Sequence, residues 1–297
     1  MQNRKGLTLI ELIVVIVAIV MLAIILLQAL QKPKINSMRL ICGTNLKGLG
    51  SSMYVYAYDY DDQFPVLGGD KNTWSSTTAG WDDPDKDWSN SASSRTVSAS
   101  LYLLVRYADV GFKSFICPKG NQQPFEPKRG QDATRLWDFG PDPANHQSYS
   151  YQFPYGSRFA ASGSSLPENA IMADRSPWFD ENLTASSIEK EDGKTYSDKV
   201  ALIDPQGKDN WKLRIGNSQP HDREGQNVLF GDSHVSFEKR PDVASKRDNI
   251  FTIADMSLDD DSRYSRGIAP TAEKVGSVDK HDSLLVSDRR NKSKLKE

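Results

Sequence analysis

Cysteine is scarce, two in 297 residues, too few for a disulfide-dense scaffold or a four-cysteine zinc site. An excess of one charge sign is lacking too. With 37 Lys and Arg against 39 Asp and Glu, the formal charge is −2, so there is no basic field of the kind that coats nucleic acid, and no nucleic-acid partner is expected. The chain also has no G-x-S-x-G elbow, no P-loop and no G-x-G-x-x-G after a strand; it is not expected to be an enzyme. Its length allows one large or two ordinary domains with a sizeable core.

The chain does have one intensely apolar segment joined to a polar remainder, and the mean hydropathy is −0.56 despite that segment. From Leu12 to Leu27 sixteen consecutive residues are apolar. Counted from Leu7 to Leu30 the stretch holds 24 residues, broken only by Thr8, Glu11 and Gln28. A helix of that length reaches about 36 Å at ~1.5 Å per residue, against a hydrocarbon layer of about 30 Å, which predicts a membrane-inserting helix. A secretory signal peptide would end in small residues, and QALQKPKINSMR has no such pattern. A plain signal anchor leaves Glu11 unexplained, since a carboxylate inside an apolar helix costs roughly 2.5–3.5 kcal/mol on insertion scales.

A cationic leader, MQNRKG, precedes LTLIELIVV, with a carboxylate at the fifth position after Gly6. The run Lys5-Gly6-Leu7-Thr8-Leu9-Ile10-Glu11 resembles the cleavage and methylation signal of type IV pilins and type II secretion pseudopilins, with Leu7 where that family usually has Phe. The resemblance implies cleavage after Gly6, N-methylation of Leu7 as the new amino terminus, and Glu11 as the assembly carboxylate. Physically, Glu11 can pair with the α-amino group of a neighbouring subunit, satisfying two charges that an apolar filament core would otherwise bury alone.

Ile35, Met38, Cys42, Leu46, Leu49, Met53, Tyr56 and Tyr60 recur at intervals of three and four, one stripe down a helix whose other face carries Lys34, Arg39, Asn45 and Lys47. Pro33 should kink that helix, and Gly43, Gly48 and Gly50 should weaken it. The alternation Tyr54, Tyr56, Tyr58, Tyr60 offers a strand as the rival to its end. CGTNLKGLGSSMYVYAYDYDDQFP is similar to a segment of large pilin-like proteins that share the leader, and Phe115-Ile116-Cys117-Pro118 resembles their second cysteine motif. The resemblance and the inward-facing position of Cys42 point to a Cys42–Cys117 bridge outside the cytoplasm, with two buried free thiols as the alternative.

Residues 66–98 turn to Gly, Asp, Ser, Thr and Trp and read as a long loop. Asp83, Asp85 and Asp87 alternate as in a calcium loop, but Trp88 stands where an EF-hand needs Gly and Ser94 where it needs the bidentate Glu. A solvated acidic loop pinned by Trp74, Trp81 and Trp88 is the plainer reading; a Ca²⁺ site or a sugar-binding platform are the others. SYSYQFPYG and ENAIMADRSP read as strands, and QNVLFGDSHVSFEKRP as a hairpin turning at Gly231-Asp232-Ser233. This neighbourhood resembles the H-x(~10)-D-G-H-V-x-F of the large pilin-like group, matched by His221, Asp232 and His234, with Ser233 in the place of Gly. His221, Asp174, Asp232 and His234 form a second candidate metal set. Its plainer alternative has Asp232 closing the turn and His221 satisfying buried carbonyls. No His-x-x-x-His or general-base Glu accompanies these residues, and a metal hydrolase is the weakest reading.

The resulting expectation is an α+β fold of pilin-like lollipop shape, a long N-terminal helical spine, half in membrane and half amphipathic, packed on an antiparallel β-rich globular head. Residues 1–6 would be a cleaved leader, 7–30 the transmembrane or filament-core helix, 31–62 its amphipathic continuation, 63–258 the head and 259–297 a charged tail or strap. The function implied is that of a filament subunit, of a pilus or of a secretion pseudopilus, with a membrane-anchored Ca²⁺- or glycan-binding protein as the alternative from another class. Expected partners are identical subunits, a prepilin peptidase that also methylates, and an inner-membrane assembly platform. No cofactor is expected beyond Ca²⁺ if the acidic loop holds it. The expected location is the inner membrane for the precursor, then a cell-surface filament or a periplasmic pseudopilus.

Overall fold

The computed structural model describes residues 8–68, 74, 75, 77–88, 95–155, 159–179, 216–268, 270 and 276–288, without the side chains of 26–35. Helix α1 (Leu9–Asp59) begins at a capping box. The Thr8 side chain accepts from the Glu11 N–H, while the Glu11 carboxylate accepts from the Thr8 N–H at 2.8 Å. Its inner stripe, Cys42, Leu46, Leu49, Met53 and Tyr56, is buried, so the helical period prevails over the tyrosine alternation, and Tyr58 points out to solvent. The expected kink at Pro33 falls among residues whose side chains are not described.

The membrane half of the expected spine needs correction. Among the described residues no helix is long and apolar enough to cross a membrane. The two-part lollipop spine is therefore not the architecture presented, and the same finding overturns the expected inner-membrane precursor and the localisation built on it. What the structure has in its place is a helix whose later turns are part of the head's own core.

That core is organised by a five-stranded antiparallel sheet in the order β4-β3-β2-β1-β7. Its strands are β1 (Tyr149–Gln152), β2 (Ala170–Asp174), β3 (Gln226–Phe230), β4 (Val235–Glu238) and β7 (Leu285–Val286), while β5 (Asp242–Ala244) and β6 (Asp248–Asn249) pair separately. Period-two alternation splits the apolar side chains between two faces. Leu229, Met172, Tyr149, Tyr151 and Val286 face the layer of α1 and α2 (Val97–Tyr107). Val228, Phe230, Ala173 and Leu285 face a smaller cluster with Ala244, Ile250 and Phe251. Val235 pairs with Leu229 and Phe237 with Asn227, as expected of a hairpin, and Ser233 takes the positive φ of 68° that the turn requires.

Close approach of α1 to β3 depends on glycine. A Cβ at Gly50 would lie 2.8 Å from Leu229 Cδ1, and Leu229 is itself buried and cannot swing away. Gly50 thus does more than weaken the helix; it sets the distance between the layers. Gly50→Val is expected to cost about 1–3 kcal/mol through overpacking, read as a lower denaturant midpoint at unchanged slope.

Three buried carboxyls tie the later chain together. Asp138 accepts from the hydroxyls of Thr78 (2.7 Å), Thr96 (2.5 Å) and Ser98 (3.0 Å). Asp288 accepts the N–H groups of Val97 and Ser98 at the start of α2, together with the Trp74 indole. Asp282 accepts from the N–H groups of Ala254 and Val278. Within 259–297, residues 276–288 are thus packed on the head, and β7 completes the sheet. Desolvation raises Asp138 and Asp282 to about 7. An acid whose folded pKa exceeds its unfolded value of about 4 keeps its proton longer when folded, so stability falls as pH rises between the two values. The denaturant midpoint should therefore be lower at about pH 8 than at about pH 5, and Asp138→Asn should flatten that dependence.

Candidate functional site

Polar side chains converge where α1 crosses the sheet. Cys42 and Asn45, one turn apart on α1, both reach the segment that follows the single turn Phe112–Phe115. Cys42 is bonded to Cys117 with the Cα atoms 5.2 Å apart, and Asn45 Nδ2–H donates to the carbonyl of Ile116 at 2.9 Å. The C-x-x-N spacing is therefore one helical turn that clamps two successive residues of the same strap. The bridge matches the expected pairing.

Beside the bridge lie Asp174, the last residue of β2, and His221, in the turn Gln219–His221. Both side chains are fully buried. His221 Nε2 stands 3.1 Å from Asp174 Oδ2 and 3.8 Å from Cys117 Sγ. Asp174 Oδ2 also accepts from the Asn227 N–H at 2.6 Å and from Asn227 Nδ2–H at 3.0 Å. Asp174 Oδ1 and His221 Nδ1 are buried with no hydrogen-bond partner. Among the described residues, Cys42, Cys117, Asp174 and His221 make a group of potential metal ligands whose donor atoms all lie within 4.8 Å of one another.

The other candidates are distributed differently. Asp232 and His234 pair with each other across the exposed hairpin turn, remote in role from His221, so the expected His221, Asp232, His234 set divides into two. Asp83 Oδ1 accepts from the Asp85 N–H at 3.1 Å, an Asx-type turn, and no group of three metal ligands forms around Asp83, Asp85 and Asp87 among the described residues. Instead of forming an open platform, the tryptophans pack on aromatics: Trp88 on Trp137, Trp81 on Phe125, Trp74 on Phe153 and Phe179. Gly6 and Leu7 lie outside the described residues. Glu11 opens α1 as an exposed carboxylate, and bonding to the Thr8 backbone and hydroxyl holds its pKa below the usual range.

Above the buried cluster runs an open groove of about 770 Å³ between α1 and β4, bordered by Asn36, Gly43, Thr44, Lys47, Asn227 and His234. Asn227 belongs both to this groove and to the cluster beneath it.

No family model, no curated protein and no solved structure matches the chain. The reading of the site therefore rests on its geometry.

Sequence reasoning placed Asp174 and His221 in one set but missed that both cysteines join them. The available signal was the inward position of Cys42 on the same stripe that meets β3, and it needed the sheet order to become useful. The bridge closes a loop of 75 residues, worth about 4 kcal/mol in the chain-entropy model. Replacing both cysteines by alanine should lower unfolding stability by about that much, read by denaturant titration under non-reducing conditions.

Proposed function

We propose that this chain is a structural subunit of a type IV pilus-like or pseudopilus filament. A prepilin peptidase would cut it after Gly6 and methylate Leu7, and it would assemble with identical subunits through the first turns of α1. The observation that carries the reading is the signal Lys5-Gly6-Leu7-Thr8-Leu9-Ile10-Glu11 set directly before an apolar helix. Supporting it, the large apolar side chains between Leu9 and Ile25 are 48–78% exposed in the single chain. Apolar side chains on every side of a helix call for cover on every side, and copies of the same helix supply it with matching length and chemistry. Each square ångström so covered contributes about 25 cal/mol. Apolar packing has no preferred register, whereas a carboxylate among apolar helices needs a cation at a fixed place. In the proposed filament that cation is the α-amino group of the neighbour's Leu7.

Glu11 serves the capping box already, and a test has to separate that role from assembly. Glutamine also closes a capping box but carries no charge. Glu11→Gln should therefore keep the head's melting temperature within about a degree or two, in line with a surface change of under ~0.5 kcal/mol, and abolish filament formation. Electron microscopy and mass spectrometry of a pelleted filament fraction give the readout. Wild-type chains beginning at N-methylated Leu7 in filaments are expected, together with Glu11→Gln chains left in the supernatant. Filaments built from chains that retain Met1, or a Glu11→Gln variant that assembles normally, would overturn the proposal.

A further inference from the structure

We infer that the Cys42–Cys117 bridge closes a second state of the same four residues: a zinc site of two thiolates, one imidazole and one carboxylate that opens when the bridge is reduced. This goes beyond the filament reading and does not depend on it.

Geometry carries the inference. A tetrahedral ion with bonds of about 2.0–2.3 Å sets its nitrogen and oxygen ligands about 3.3 Å apart, and its nitrogen and sulfur ligands about 3.6 Å apart. His221 Nε2 lies 3.1 Å from Asp174 Oδ2 and 3.8 Å from Cys117 Sγ. Two of the edges of such a tetrahedron are thus already near their required lengths. The sulfur–sulfur edge, about 3.7 Å in a zinc site, is reached once the bridge opens. All four side chains are buried, on four separate elements whose relative positions the sheet and α1 determine.

The environment of the carboxylate fits the same reading. Asp174 Oδ1 and His221 Nδ1 are buried and unpartnered, but they are not the atoms that face the sulfurs; Oδ2 and Nε2 supply the two edges measured above. Asn227 bonds to Asp174 Oδ2 through its backbone and its side chain and so orients the carboxylate as an outer-shell residue does. Asn227 also borders the groove above.

The chemistry balances. A dithiol reductant transfers two electrons to the Cys42–Cys117 bond and becomes a disulfide itself, leaving two thiols. Binding of Zn²⁺ then displaces both thiol protons to water and draws the imidazole to the metal through Nε2 in its deprotonated form. Thiolate with imidazole selects a borderline-soft ion such as Zn²⁺ over Ca²⁺ or Mg²⁺. A disulfide oxidant reverses the sequence: it takes two electrons from the thiolates and two protons from water to become a dithiol, the sulfurs bond and the ion is released. The site is therefore a redox-gated store of one metal ion.

Cobalt is the probe. The full chain would be reduced with a phosphine under argon, freed of metal and titrated with Co²⁺, with folding followed by circular dichroism. The reduced chain should develop the visible absorption of tetrahedral thiolate-bound Co²⁺, saturating at one ion per chain and bleached by Zn²⁺, while the oxidised chain should show none. Asp174→Asn and His221→Gln should each weaken binding at least 10-fold. Cys42→Ser with Cys117→Ser, which keeps both other ligands, should abolish the band. A reduced chain that stays folded and gives no band would overturn the inference, as would one that unfolds and is not restored by Co²⁺. A band of equal affinity in both single variants would reduce the site to a pair of free thiols and likewise refute it.

Discussion

The buried carboxylate of Asp174 is the constraint around which the head is arranged. A carboxyl group removed from water is costly unless donors surround it. Here the donors come from separate parts of the chain: Asn227 from β3, through backbone and side chain, and His221 from the turn before it. Those donors can meet at the end of β2 only if β3 lies beside β2 in the observed register, with Val228 opposite Ala173. The same register turns Leu229 toward α1, where Gly50 leaves room for it. Partnering one oxygen of this carboxyl, Oδ2, thus goes together with strand pairing, facing and the seat of the helix.

Much of this was legible from residue type and spacing. The hairpin of β3 and β4 showed in its period of two, and the inner stripe from Cys42 to Tyr56 in its spacing of three and four. Asn45 was not legible: a polar residue reads as solvent-facing, and only the strap at Ile116 makes its inward position favourable. Glycine misled for a similar reason. Gly50 looks like a defect of helix propensity when α1 is considered alone and is a necessity once β3 is adjacent. The segment Leu284-Leu285-Val286 is too short to display a period amid charged neighbours, yet all three residues are buried, because the edge of β1 supplies their hydrogen bonds. Hydropathy overreached at the other end, where a continuous apolar run suggested a membrane span that the described helix does not provide.

The candidate metal sets show where spacing stops being informative. Asp232 and His234, two apart, look like neighbours aimed the same way, and they are, but at an exposed turn where water competes for every bond. His221, earlier in the same stretch of chain, is buried together with Pro220 and meets the Phe237 ring edge-on. Burial, which no local spacing encodes, separates a satisfied surface pair from an enclosed cluster with atoms left unpartnered.

The bridge and the inferred zinc site make the same mechanical demand. Either one holds Cys42 of α1 to Cys117 of the strap, so the helix stays on the head whichever state is present. What differs is the environment of Asp174 and His221. With the bridge closed they rely on each other and on Asn227; with an ion bound they become its ligands, and Asn227 acts through one of them. A change of redox state would therefore be felt at the floor of the groove, which the buried Asn227 helps to line, while the layers that carry the fold remain in place. Coupling of this kind needs no moving domain. It needs only a polar residue shared between a buried switch and an open surface, and Asn227 occupies that position.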